Sequence, residues 1–238
     1  MAALNIFQRP ATFLLEAFGD QLWGFKPGWI AVCVRHKGAF GALFWFARMM
    51  PGYERILETW GPIRTHLLTT AISVLNGCWY CTQGHAYALQ LHYLRQTDRL
   101  FPLTEREMFQ LHELSEDAAL AEFEQGLDRA GLGGEIFVLR RMVELKRNRR
   151  LAVSRGDRDL LHLLDMFGTL NLCSPASPPK TKQAHDPINK NRAIHNRYAA
   201  LRSSQTVSER FGEASLRENR HWTDSDITVL HPGDLLEN

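Results

Sequence analysis

Cys78, Cys81 and His85 stand within the run Asn76-Gly77-Cys78-Trp79-Tyr80-Cys81-Thr82-Gln83-Gly84-His85. Positions three and four apart share one face of an α-helix, so two sulfurs and an imidazole at this spacing can converge. Thiolate is the reactive form of cysteine, and the positive end of a helix favours it. Asn76 suits an N-cap, which would place Cys78 in the first turn. A histidine beneath the second sulfur can take its proton or pair with its anion. A dithiol of this kind can cycle: one thiolate attacks a peroxide or a disulfide, and the other resolves the product as an internal disulfide. It can also hold a metal. Twelve residues before Cys78 stands His66, and Cys78, Cys81, His85 and His66 together have the composition of a tetrahedral zinc site. A purely structural disulfide is the third reading. Haem attachment would need a histidine where Thr82 follows Cys81.

The elements that must position this cluster read as helices. Ile63, Leu67, Leu68, Ala71, Ile72 and Leu75 repeat at helical spacing ahead of Asn76-Gly77, and the dithiol helix should run from Cys78 to about Arg95. Two helices joined by so tight a turn must lie against one another. Upstream, helices are expected over 11–23 and 38–50, with Pro51-Gly52 breaking the chain before a short helix from Tyr53 to Thr59. Trp29 to Val34 could be strand or helix by pattern. Downstream, helices are expected over about 104–113, 116–130, 134–149 and 157–172, the first opened by Thr104 and Glu107 at capping-box spacing. No clean period-two pattern bounded by hairpin turns stands out, so the fold class is all-α.

Composition changes after Cys173. Ser174-Pro175-Ala176-Ser177-Pro178-Pro179-Lys180-Thr181-Lys182 reads as a linker, and large apolar residues then thin out, apart from a short helix expected over 188–201. Residues 1–173 are therefore expected to form the helical domain, and 174–238 a polar tail that docks on it, docks on a partner or stays mobile.

The 238-residue chain is 45% hydrophobic, enough for a packed core, and carries 28 basic against 26 acidic residues, a balance that does not point to nucleic acid. The basic run from Lys146 to Arg150 fits a solvated helix end better than a phosphate site. Four cysteines are few for a disulfide-built fold, and Cys33 and Cys173 sit in apolar runs as small hydrophobes. The N-terminus lacks a signal-peptide pattern, and the apolar stretch from Ala39 to Met50 is too short to span a bilayer, so the expectation is a cytoplasmic protein. His92, one heptad after His85, could line the same face; the remaining histidines show no pairing by sequence.

The run from Leu75 to Ala86, with its lead-in from about Trp29, resembles the alkylhydroperoxidase D-like branch of the carboxymuconolactone decarboxylase family. The resemblance implies an all-α helical bundle, a homo-oligomer, and thiol peroxidase or disulfide reductase activity. It implies Cys81 as the peroxide-attacking cysteine, Cys78 as the resolving one, and His85 as part of a proton relay. At the place where the family usually carries a relay glutamate, this chain has His66. A neutral histidine can pass a proton but cannot supply a glutamate's charge. The leading expectation is a redox enzyme with catalytic Cys81, Cys78, His85 and His66, no resident cofactor, a hydroperoxide or disulfide substrate, and an external dithiol or redox protein as reductant. The alternative is a non-enzymatic interaction protein whose CxxCxxxH cluster binds zinc or forms a structural disulfide.

Overall fold

In the computed structural model, residues 5–175 and 182–216 are described, the side chains as far as residue 205. Most of the Pro- and Ser-rich linker and everything after residue 216 lie outside them. The described residues are helical throughout, with no strand among them: α1 (Gln8–Trp23), α2 (Trp29–Lys37), α3 (Ala39–Trp60), α4 (Pro62–Leu75), α5 (Trp79–Thr97), α6 (Glu105–Gln110), α7 (Glu116–Arg129), α8 (Gly134–Arg147), α9 (Arg155–Leu172) and α10 (Arg192–Leu216), with a 3-10 turn at Pro187–Lys190. None of these helices is long and apolar enough to cross a membrane.

The centre is the α4–α5 pair. Thr65 to Val74 on α4 and Tyr80 to Leu94 on α5 are almost all buried, polar residues included. A helix buried on every side belongs in the middle of a fold, and α4 is surrounded by α3, α5, α7, α8 and α9. Buried polar groups here find partners, as they must: Thr70 donates to the His66 carbonyl at 2.7 Å, and Gln90 donates to the Leu103 carbonyl at 2.5 Å and accepts from Phe101 N–H at 3.1 Å.

The joint between α4 and α5 is built from local rules. Gly77 takes φ +70°, a left-handed conformation natural to glycine. Cys78 N–H then reaches the Ser73 carbonyl at 2.9 Å and Gly77 N–H the Val74 carbonyl at 3.0 Å, the paired bonds of a Schellman ending. The next residue already starts a new helix. Cys78 itself is the N-cap of α5, its Sγ accepting the Cys81 N–H at 3.3 Å. The sequence placed Asn76 in that role; the turn instead spends Asn76 on closing α4, which moves the cap two residues on.

Pro51 does not break the chain either. It lies inside the continuous helix α3, with Phe46, Tyr53 and Ile56 buried on both sides of it. An interior proline costs a helix about 3 kcal/mol, and the core contacts of α3 outweigh that. His162 of α9 donates to the Met49 carbonyl at 2.9 Å beside it. The stretch from Trp29 is a helix, and the capping box of Thr104 and Glu107 forms. Lys146 and Arg147 pair with Glu116 and Asp117 of α7, which accounts for the first part of the basic run as a helix end.

By its contacts the chain divides into residues 1–198 and 199–238, not at Cys173. Residues 182–198 belong to the first unit: Ala184, Ile188, Ile194 and Tyr198 are buried. The segment over residues 184–191, called the strap below, is pinned by His185 N–H to the Gly84 carbonyl at 3.2 Å and by Asn189 Nδ2 to the Trp23 carbonyl at 2.8 Å. In the second unit, α10 continues to Leu216, and Ser203 donates to the Ala199 carbonyl at 2.9 Å.

Candidate functional site

Cys81 Sγ lies 2.9 Å from Ser174 Oγ, and Ser174 Oγ lies 2.8 Å from the Leu170 carbonyl oxygen. A carbonyl only accepts, so the single hydroxyl proton of Ser174 goes to Leu170. Ser174 can then only accept from Cys81, which must be a thiol. Burial, with Cys78 alongside, agrees by pushing the Cys81 thiol well above the ordinary range. Cys78 shifts the other way: the Cys81 thiol beside it and the N–H groups of Cys81 and Tyr80 hold it below the usual value despite burial. The cap position thus favours thiolate at Cys78, while Cys81 keeps its proton.

His85 is stacked against His66 of α4, with the two Nδ1 atoms 3.2 Å apart. Behind His66 comes a residue that the sequence did not single out. Asp186 of the strap, 4% exposed, holds Oδ2 at 3.0 Å from His66 Nε2 and Oδ1 at 2.9 Å from His92 Nε2. Its Oδ1 also accepts the Ile188 N–H at 2.7 Å. Burial would raise the pKa of this carboxyl, but the bonds from His66 and His92 outweigh burial and hold it well below the usual carboxylate range.

With each imidazole neutral, these contacts fix every proton in the row. Arg95 has only donors, and its guanidinium lies 3.0 Å from His92 Nδ1. His92 Nδ1 therefore carries no hydrogen, and Nε2–H donates to Asp186. On the other side His66 Nε2–H donates to the same carboxylate, which leaves His66 Nδ1 bare. His85 Nδ1–H donates to it, and the lone pair of His85 falls on Nε2. Burial, with His185 and His66 nearby, keeps His85 well below its ordinary pKa and thus neutral at neutral pH. The result is a base backed by a buried carboxylate through an intervening imidazole.

Cys81 and His85 share a cavity of about 20 Å³, walled by Trp23, Trp29, Tyr53 and Phe167. That is room for one water-sized molecule, since a water needs roughly 10–15 Å³ measured in this way. Its roof is His185, the strap residue before Asp186. The His185 ring lies so close to α5 that a Cβ on Gly84 would sit 2.5 Å from it. Tyr80 packs on the same ring at 5.1 Å and accepts the Gly28 N–H at 3.0 Å, while Trp79 packs on Phe109 and His112. Cys33 and Cys173 are buried in the core.

Of the residues singled out by sequence, Cys81 and His85 meet at the cavity, Cys78 caps the helix beneath, and His66 joins the row. The zinc set of Cys78, Cys81, His85 and His66 is not assembled. Among the described residues, the group whose ligand atoms lie within 4.8 Å of one another is His66, His92 and Asp186. Two imidazoles and a carboxylate could hold a divalent metal, but Arg95 opposes it by directing the proton of His92 to the nitrogen that would have to ligate. Sequence reasoning missed Asp186 and His185. The available signal was Asp186-Pro187, an acidic cap followed by proline, which marks the start of a helical turn.

Compared with family models, curated proteins and solved structures, the chain matches none.

Proposed function

We propose that the protein is a thiol-dependent peroxidase of the alkylhydroperoxidase D-like type, with Cys81 as the attacking residue. The carrying observation is that Cys81 opens on the same water-sized cavity as His85, whose Nδ1 is tied through His66 to the buried carboxylate of Asp186. In the proposed cycle, His85 Nε2 takes the Cys81 proton as the sulfur attacks the nearer peroxide oxygen. The S–O bond forms, the O–O bond breaks, and the leaving oxygen takes up the proton from His85. Positive charge arising on His85 is shared with His66 and faces Asp186, so the carboxylate supplies the charge that a glutamate at position 66 would have brought. Cys78, already inclined to thiolate at the helix end, then attacks the sulfenic sulfur; one proton is taken up, water leaves, and the Cys78–Cys81 disulfide forms. An external dithiol restores the pair.

Turnover of hydroperoxide with a dithiol donor, followed in the full-length protein and in Cys81→Ser, tests this reading. Loss of turnover to background in Cys81→Ser supports it, and retention of the rate refutes it. The rival reading, a structural or metal-binding cluster, requires no thiol that alkylates quickly, together with either one tightly held zinc per chain or a Cys78–Cys81 disulfide that does not turn over.

A further inference from the structure

One polar side chain at the cavity is left over by the proposed cycle. His185 is 4% exposed and lines the same cavity as Cys81 and His85, and among the described residues its Nε2 has no hydrogen-bond partner. Apart from His85 Nε2, the base of the proposed cycle, every ring nitrogen in the row from His85 to His92 is committed to a neighbour. Leaving a buried nitrogen unpaired is costly, so a ligand that satisfies it gains selectively. The ring is also held firmly. It stacks on Phe25 and Trp23, meets His85 edge-on at 5.2 Å, and rests on Gly84, where any side chain would collide with it.

We propose that His185 is a substrate-contacting residue, and that with His85 it selects hydrogen peroxide over bulky organic hydroperoxides. The inference rests on the peroxidase reading and adds to it the size of the substrate and a second recognition group. Hydrogen peroxide has two O–H donors and lone pairs on both oxygens. Once His85 Nε2 has taken the Cys81 proton, the far oxygen can accept from it and make a second bond with the unpaired Nε2 of His185. An organic hydroperoxide has a single O–H and puts carbon where that second bond would form. The cavity of about 20 Å³, closed by Trp23, Trp29 and Phe167, has no room for an aryl or branched alkyl group beside the peroxide. Held in this way, the peroxide presents one oxygen to Cys81 and its leaving oxygen to both His85 and His185. The step stays balanced: the thiol and hydrogen peroxide give sulfenic acid and water, with sulfur oxidised by two electrons and the O–O bond reduced.

The test measures sulfenic-acid formation on Cys81 by mass spectrometry after dimedone trapping, with hydrogen peroxide and cumene hydroperoxide as probes. Three full-length proteins, each carrying Cys78→Ser so that the sulfenic acid persists, are compared: otherwise unmodified, His185→Phe and His185→Gln. In the unmodified protein the rate constant with hydrogen peroxide is expected to exceed that with cumene hydroperoxide at least tenfold. His185→Phe keeps an aromatic roof but removes the nitrogen; it should lower the hydrogen peroxide rate about tenfold, mainly by weakening saturation. His185→Gln, which restores a polar amide, should recover part of that loss. Equal rates with the two probes, or a His185→Phe rate within twofold of the unmodified protein, would overturn the role of His185 while leaving the peroxidase reading intact. No sulfenic acid from either probe in the unmodified protein would overturn both. If His185→Phe does not fold, the two-probe ratio and His185→Gln decide the matter.

Discussion

The two halves of the site come from unlike parts of the molecule. The α4–α5 pair supplies Cys78, Cys81, His85, His66 and His92 from two adjacent, largely buried helices joined by a three-residue turn. The strap supplies His185 and Asp186 from a short irregular segment about a hundred residues further on, which reaches the helices through one main-chain bond and one carboxylate. The helix pair is placed by packing, and the strap largely by chemistry. In the proposed cycle the helices carry the reactive thiols and the base, whereas the strap carries the charge that makes the base effective and the roof that closes the cavity. A relay position that lacks glutamate need not lack negative charge, because the charge can arrive from another part of the chain.

This difference can be attacked from the helix side first. His66→Glu installs the residue that the resembled family carries at this place. Here it would set a second carboxylate against Asp186 and remove the N–H that Asp186 accepts. An unpaired buried charge costs about 3–5 kcal/mol, so the variant should unfold at markedly lower urea at pH 8 and should not gain peroxidase activity. Combining it with Asp186→Asn should recover part of the stability, a coupling that a double-mutant cycle reads directly. Additive losses would mean that the two residues do not meet.

Gly84→Ala attacks the contact between the halves. In an ordinary helix interior this change stabilises by up to about 1 kcal/mol. Here the new Cβ would fall 2.5 Å from the His185 ring. Overpacking of this kind typically costs about 1–3 kcal/mol, so denaturant unfolding should show a loss of stability, and the strap should become more open to proteolysis. A gain in stability would show that the strap does not rest on α5 at this point.

The smallest effect separates the halves by pH. Burial pushes His185 down to about 3 and holds His85, too, well below its ordinary value. The unfolded chain therefore binds protons near pH 6.5 that the folded chain refuses, and stability falls as the pH drops below about 6.5. Asp186 acts in the same direction at lower pH. Its depressed pKa gives a contribution present above the unfolded value of about 3.9 and lost as the pH falls further. Between pH 4 and 6, His185→Phe should flatten the plot of unfolding free energy against pH by about 1.4 kcal/mol per pH unit, the share of one proton. An unchanged slope would mean that His185 titrates normally.

The same division explains what could be read in the sequence. The dithiol helix, its partner and the turn between them were legible because their rules are local: helical spacing, a glycine at a left-handed position, and Cys, Cys and His three and four apart. The all-α class followed from the same periodicity. Two local readings failed where packing prevailed: Asn76 closes α4 rather than opening α5, and Pro51 is carried through α3 by its buried neighbours. Asp186 was not legible. It lies 120 residues from His66, beyond a Pro- and Ser-rich linker, in a stretch with few large apolar residues. Burial there comes from one carboxylate meeting two imidazoles, a complementarity with no period in the chain. The basic run, in contrast, was readable because Lys146 and Arg147 stand at the end of α8, where cations suit the helix dipole.

The central claim is that the strap's carboxylate drives the chemistry at Cys81. The most direct test is the rate of sulfenic-acid formation on Cys81 at pH 7 in Asp186→Asn against the unmodified protein, each carrying Cys78→Ser so that the product persists. Asparagine keeps the size of the side chain but removes its charge and turns an N–H toward one of the histidines. A loss of about 10²-fold, the scale of a general base left without support, in a variant that retains its helical circular dichroism, is the result predicted here. A rate within twofold of the unmodified protein, in a folded variant, would contradict the account.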